Sequence, residues 1–314
     1  MVVIDALQST FTIITMVLVA YILTARGWFD EDTARLFSRL VVNISLPAFM
    51  FSNFYTTFDS KEIMVLGTSI LYPLLSMLLM FAVGFMLIKL MAVRPGKRGI
   101  FLVMFSLSNS VFIGLPVNVS LFGEASVPYV IMFYIVNTLV FWTIGIFAIR
   151  RDDPAGTGKA SFGDSVKRVI SPPLVTFAVT VALIMLDIRL PRFILDTAGY
   201  LGSMTTPLSM LFMGITIHTI DFSGIRIDKE MIAVLAGRFL IAPAIVYTML
   251  VSANIPLLMK KVFIIETAMP VMTQAAIVAK TYGADHKYAT IMIAITTIVG
   301  MAFIPVYMII IGNI

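Results

Sequence analysis

Residues 108–123 read SNSVFIGLPVNVSLFG and lie within 99–123, a stretch without Asp, Glu, Lys or Arg. Such a run can cross about 30 Å of hydrocarbon at about 1.5 Å per helical residue. Yet it contains Gly114 and Pro116, with Asn109, Ser110 and Asn118 around them. A proline inside a helix removes one N–H donor and clashes with the carbonyl one turn back, a cost of about 3 kcal/mol or more. Lipid offers the freed groups no partner, so broken backbone at membrane depth survives only where protein or a water-lined cavity surrounds it. The segment predicts a discontinuous helix that forms part of a polar site.

The rest of the chain supplies the membrane setting. Of 314 residues, 60% are apolar and 12% charged, and the mean hydropathy is +1.01; a soluble domain has about 45–50% and about 25%. Charge-free runs fall at 6–25, 40–58, 63–88, 99–123, 125–149, 169–186, 197–220, 239–259 and 288–314. A tenth candidate, 262–282, is helical in pattern but contains Glu266 and Lys280. These predict an all-α integral membrane protein of ten spans. The first span lacks a preceding basic residue and a small-residue cleavage site, so it reads as a retained helix rather than a signal peptide.

Sixteen of the 22 basic residues fall in odd-numbered loops if the N-terminus lies outside, five in even ones, and Arg238 lies inside a span. The positive-inside rule then places both termini outside the cytoplasm and residues 150–168 within it. The net charge of +5 is accounted for by loop anchoring at the inner leaflet, with no need of a nucleic acid. The segment RRDDPAGTGKASFGDSVKR at 150–168 reads as a flexible linker. It divides the chain into 1–149 and 169–314, five spans each. An odd number per half inverts the second half in the membrane, the arrangement of inverted-repeat transporters. Prolines recur at matching ordinals: Pro47 and Pro207 in the second and seventh spans, Pro116 and Pro270 in the fourth and ninth. Pro47, Pro73, Pro207 and Pro243 read as ordinary kinks. Pro116 and Pro270 differ in their polar company, Thr267, Thr273 and Gln274 flanking the second. The fourth and ninth helices are therefore expected to break at these two prolines.

Other chemistries find little support. There is no cysteine, and the two histidines, His218 and His286, are far apart, so no metal and no cofactor is expected. No G-x-S-x-G serine or phosphate loop occurs, Gly96-Lys97 being followed by Arg98. No catalytic residue is assigned, and the chain does not read as an enzyme. An interrupted span instead offers unpaired N–H groups and a partial positive charge at the start of its second half, which favours a carboxylate by about 0.3–1 kcal/mol. Asn109, Thr273 and Gln274 add neutral donors. Three further charges remain open in role. Arg238 either faces an anion pathway or clamps broken carbonyls. Glu266 either carries a coupling proton or caps a half-helix, and a direct Arg238–Glu266 pair is not assumed, because a rise of about 1.5 Å per residue sets the two about 10 Å apart in depth. Lys280, near a span end, is placed to snorkel.

The fragments NISLPAFMF in the second span, NSVFIGLPV in the fourth, SPPLVTFAV in the sixth, ILDTAGYLGSMTTPLSMLFMGITI around the seventh, GRFLIAPAIV in the eighth and ETAMPVMTQAAIVAKTYGAD in the ninth, in this order, resemble the auxin efflux carrier family. That family includes plant auxin exporters and prokaryotic organic-acid permeases. Two departures point away from auxin itself: the fifth loop lacks the long insertion of the plant proteins, and Glu266 stands where those usually have glutamine.

The resemblance implies two five-helix inverted repeats whose fourth and ninth helices cross near the bilayer centre at Pro116 and Pro270. It implies a scaffold of spans 1, 2, 6 and 7, carrying Asn43 and Pro47 and often a homodimer contact. Spans 3–5 and 8–10 would then move as an elevator-like transport unit. Asn109 becomes a direct substrate ligand, with Ser110, Gly114, Asn118, Thr273 and Gln274 beside it. The expectation is a multi-pass carrier in the cell (plasma) membrane for small organic anions, mono- or dicarboxylates such as malate or malonate. A passive channel or substrate sensor on the same fold is the alternative.

Overall fold

The computed structural model describes residues 2–58, 67, 69–152, 171–220 and 227–312. Among these, every regular element is helical apart from one isolated β-bridge. Residues 153–168 of the expected linker lie outside the described residues. In chain order the helices are α1 (Val2–Ala25), α2 (Glu31–Thr57), α3 (Leu71–Leu90), α4 (Arg98–Ser106), α5 (Ser110–Phe122), α6 (Glu124–Arg150), α7 (Pro172–Met185), α8 (Arg192–Ser203), α9 (Thr205–Thr219), α10 (Lys229–Leu250), α11 (Leu257–Thr267), α12 (Gln274–Thr281) and α13 (His286–Gly312). Five are long and apolar enough to cross a membrane: α2, α3, α6, α10 and residues 286–307 of α13. The protein is thus a multi-pass, all-α membrane protein.

Several helices widen into a π turn, and three of these stand directly before a proline. Val41–Ser45 precedes Leu46-Pro47, Ser110–Gly114 precedes Leu115-Pro116, and Gly237–Ile241 precedes Ala242-Pro243. Proline's ring crowds the carbonyl four residues back. One extra residue in the turn moves that carbonyl aside while the helix continues. The wider bonds are visible: Leu46 N–H donates to the Val41 carbonyl and Ala242 N–H to that of Gly237. The Phe239 carbonyl, four residues before Pro243, accepts the Tyr307 hydroxyl from α13. This corrects the expectation at Pro116. The helix does not break there; it runs through the proline as α5, and the chain leaves helical geometry earlier, at Leu107–Asn109.

The chain forms two compact units, residues 1–70, 111–132 and 170–219 in the first and 71–110, 133–169 and 220–314 in the second. In the first, α9 lies so close on α1 that a Cβ on Gly214 would stand 2.3 Å from the Val17 carbonyl oxygen. Gly202 brings α8 equally close to α2, a Cβ there falling 2.7 Å from Phe49 Cα. Membrane helices gain little from burial against one another in lipid, so small residues that let backbones meet supply the packing. Tyr55 of α2 holds the chain between α7 and α8, its hydroxyl donating to Ile188 O at 2.7 Å and accepting from Leu190 N–H at 2.9 Å.

The core of the second unit is α4. Ile100, Phe101, Val103, Met104 and Phe105 are all fully buried, as expected of a helix that is apolar all round. A Cβ at Gly99 would lie 1.9 Å from the Ala148 carbonyl oxygen of α6, and one at Gly237 of α10 would lie 2.3 Å from the Phe105 ring. Asp152, just past α6, accepts the Ile100 N–H at 2.9 Å.

Candidate functional site

Two interruptions meet in the second unit. α4 ends at Ser106, and Leu107 is extended (φ −114°, ψ 145°). α11 ends at Thr267, and helix resumes only at Gln274; Pro270 lies within this gap. Ser108 and Val271 pair there as an antiparallel bridge. The backbone groups exposed by the gaps find named partners, as the absence of water in a bilayer core requires. Asn109 N–H donates to the Pro270 carbonyl at 2.8 Å. Asn137 of α6 brackets Ser108, its Oδ1 accepting the Ser108 N–H at 3.3 Å and its Nδ2 donating to the Ser108 carbonyl at 3.0 Å. Val271 N–H donates to Thr296 Oγ1 of α13 at 3.2 Å. A Cβ on Gly300 would stand 2.9 Å from the Pro270 ring, so α13 closes over the gap at that level.

The carbonyl ends of both half-helices converge on one cation. Arg238, 1% exposed, donates from Nε to Met269 O at 3.1 Å, from Nη2 to Thr267 O at 2.5 Å and from Nη1 to Phe105 O at 3.5 Å. A charge at mid-membrane costs at least about 2.5–3.5 kcal/mol. Here two helix C-termini each present partial negative charge, and a guanidinium, with five donors in a fixed plane, can reach several carbonyls together. Glu266 is fully buried and within electrostatic reach of Arg238. The arginine side chain extends to the carbonyl of Thr267, the residue after Glu266.

On the other side of the bridge lie donors. Asn109, 4% exposed, donates from Nδ2 to Thr273 Oγ1 at 2.9 Å, and Ser110 is buried. Gln274 opens α12, where the Ala275 N–H donates to the Met272 carbonyl at 3.1 Å and the Thr273 side chain caps no N–H. Gly114, Pro116 and Asn118 belong by contact to the first unit; the Asn118 amide donates to the Gly114 carbonyl at 2.9 Å. Asn43 lies in the first unit and donates to Arg39 O at 2.8 Å, beside buried Pro47. Lys280 is exposed in the last turn of α12.

Sequence reasoning missed Asn137 and Thr296, which hold the crossing in place. Asn137 could have been found, since it is the sole carboxamide in the charge-free run 125–149, and a lone amide in an apolar span asks for a partner. Thr296 is one of several threonines in α13 and carries no such signal. Among the described residues no group of three or more histidines or carboxylates is arranged for a metal.

The fold and site are those of an all-helical membrane protein in which two gaps between helices pair through backbone and amide groups. The family model described as membrane transport protein matches residues 5–308, and the chain belongs to that family, the auxin efflux carriers. Similar chains include an uncharacterized transporter of Methanocaldococcus jannaschii, 26% identical over 301 residues that cover 94% of this chain and 95% of the relative. Another, of Methanothermobacter thermautotrophicus, is 24% identical over 311 residues, 96% of each.

Proposed function

We propose that this transport protein is a secondary carrier of small organic anions, mono- or dicarboxylates such as malate or malonate. The observation that carries the reading is the contact of Asn109 Nδ2 with Thr273 Oγ1 at 2.9 Å beside the Ser108–Val271 bridge. It sets neutral donors on one side of the crossing, with the Arg238 guanidinium on the carbonyl side. A carboxylate entering beside Asn109 meets amide, hydroxyl and the positive end of the α12 dipole, and no full countercharge that would hold it permanently. Pro270, Ser110 and Gln274 complete this assignment; Gly114, Pro116 and Asn118 are assigned to the half-helix that follows Asn109.

The ten-span reading groups α4 with α5 as the fourth span, α8 with α9 as the seventh and α11 with α12 as the ninth. The two halves of the chain are then inverted five-span repeats. The grouping of 1–70 with 170–219, and of 71–110 and 133–169 with 220–314, supports a scaffold of spans 1, 2, 6 and 7 and a transport unit of the others, except that residues 111–132, from spans 4 and 5, group with the first unit. Elevator-like alternating access is part of this proposal. A homodimer through the scaffold, a place in the plasma membrane and two extracytoplasmic termini belong to the same proposal, the last supported by the distribution of basic residues.

Counterflow in proteoliposomes tests it. Purified protein loaded with unlabelled malate or malonate should accumulate the labelled acid, and Asn109→Ala should lower that rate about tenfold, the loss of one to two hydrogen bonds to a charged group. Conductance without counterflow would make the protein a channel, and ligand binding with neither would make it a sensor. Unchanged counterflow in Asn109→Ala would remove Asn109 from the site.

A further inference from the structure

A cavity of about 590 Å³ opens in the second unit where the end of α3, the start of α4 and the end of α6 come together. Part of its wall is apolar: Phe85, Leu102, Ile144 and Phe147. Lys89, Arg98 and Arg151 line it too, and all three are exposed. The Lys89 ammonium lies 4.7 Å from the centre of the Phe85 ring and the Arg151 guanidinium 4.4 Å from that of Phe147. Each cation is thereby held over an aromatic face. Among the described residues none of the three forms a salt bridge. The one carboxylate in the lining, Asp152, is buried and spends an oxygen on the Ile100 N–H. Burial pushes its carboxyl above the usual range, against the pull of the Gly99, Ile100 and Arg98 N–H groups and of the Arg98 charge. Positive charge therefore prevails in the cavity.

We infer that this cavity binds an anionic glycerophospholipid, its phosphate held by Lys89, Arg98 and Arg151 and an acyl chain laid along Phe85, Ile144 and Phe147. Two features select a lipid over a soluble phosphate. The cations stand at helix ends, Lys89 in the last turn of α3 and Arg151 directly after α6, the level at which headgroups meet a spanning helix. The apolar wall continues outward onto α3, where Phe85, Met86 and Leu90 are 53%, 53% and 72% exposed, a face that acyl chains cover in a bilayer. The size suits a headgroup and the first part of a chain.

The test reads binding alone, so it stands or falls separately from the transport assay. The thermal midpoint of the full-length protein in detergent is titrated with phosphatidylglycerol, with phosphatidylcholine and with glycerol phosphate. Phosphatidylglycerol should raise the midpoint saturably, and the other two should have little effect. The half-saturating concentration should rise roughly fivefold per cation removed, in Arg151→Gln and in the triple variant Lys89→Gln, Arg98→Gln, Arg151→Gln. An equal response to phosphatidylcholine, or glycerol phosphate acting as well as the lipid, overturns the inference. So does an unchanged response in the triple variant. Should that variant fail to fold, Arg151→Gln, altered only at an exposed side chain, decides the matter in the same way.

Discussion

At the scale of single residues, the crossing depends on a few polar side chains, of which Arg238, Asn137 and Thr296 satisfy backbone groups while Asn109 and Thr273 bond each other. Arg238 has the most to lose. Replacing it with methionine keeps the volume but leaves the carbonyls of Phe105, Thr267 and Met269 without their donor, at about 1–3 kcal/mol for each group left unsatisfied. The expected outcome is a sharp fall in folded yield and in thermal midpoint, measured by size-exclusion fluorescence after heating. Arg238→Lys should recover only part of it, since an ammonium is a compact charge that cannot reach three carbonyls in one plane. The sequence showed that an arginine stood inside a span and left its role open between pathway and clamp. Its partners are invisible there, because they are backbone carbonyls of residues 105, 267 and 269, which carry no signature in their side chains.

At the scale of elements, prolines were legible and the breaks only half so. Pro270 falls inside the gap between α11 and α12, whereas Pro116 is absorbed by a π turn and the helix proceeds. The gap between α4 and α5 lies at Leu107-Ser108-Asn109, none of which is a helix breaker by itself. These residues are held extended from outside, by Asn137 on Ser108 and by the Pro270 carbonyl on Asn109. Tertiary hydrogen bonds of this kind outweigh local preference, and local preference is what a sequence displays most directly. The π turn before Pro243 offers its own test. Tyr307→Phe removes only the hydroxyl that serves the Phe239 carbonyl. About 1–3 kcal/mol should be lost if that carbonyl finds no other donor, read as a lower thermal midpoint without change in the membrane yield of the helix itself.

At the scale of the whole molecule, what composition and charge dictated was the class: an all-helical, multi-pass membrane protein. Grouping into two compact units was not readable from hydropathy, because each unit draws on both halves of the chain and hydropathy reports spans in order only. Polar fastenings within the second unit were equally hidden. Lys97 is buried and donates to Asp228 Oδ2 at 2.7 Å, while its ammonium lies 3.6 Å from the centre of the Tyr288 ring. This pair links the start of α4 to the start of α10, where Asp228 also caps the Met231 N–H. Burial raises the Asp228 carboxyl, but hydrogen bonds from Lys97 and Met231 outweigh it and hold the group below its ordinary value of 3.8. A lowered carboxyl stabilises the fold fully above the ordinary value, and that contribution is lost as pH falls through the lower folded value. Asp228→Asn keeps a good helix cap but leaves the buried ammonium unpaired, for about 1–3 kcal/mol. Its thermal midpoint should fall below that of the parent at pH 7, and the two should converge in strong acid.

The guanidinium at position 238 has a mechanical corollary. Since one side chain bonds the ends of both α4 and α11, those half-helices share a rivet, and parting them would forfeit three hydrogen bonds from one buried charge. In the carrier cycle proposed above, displacement during passage of a solute would then be taken up elsewhere than between these two half-helices.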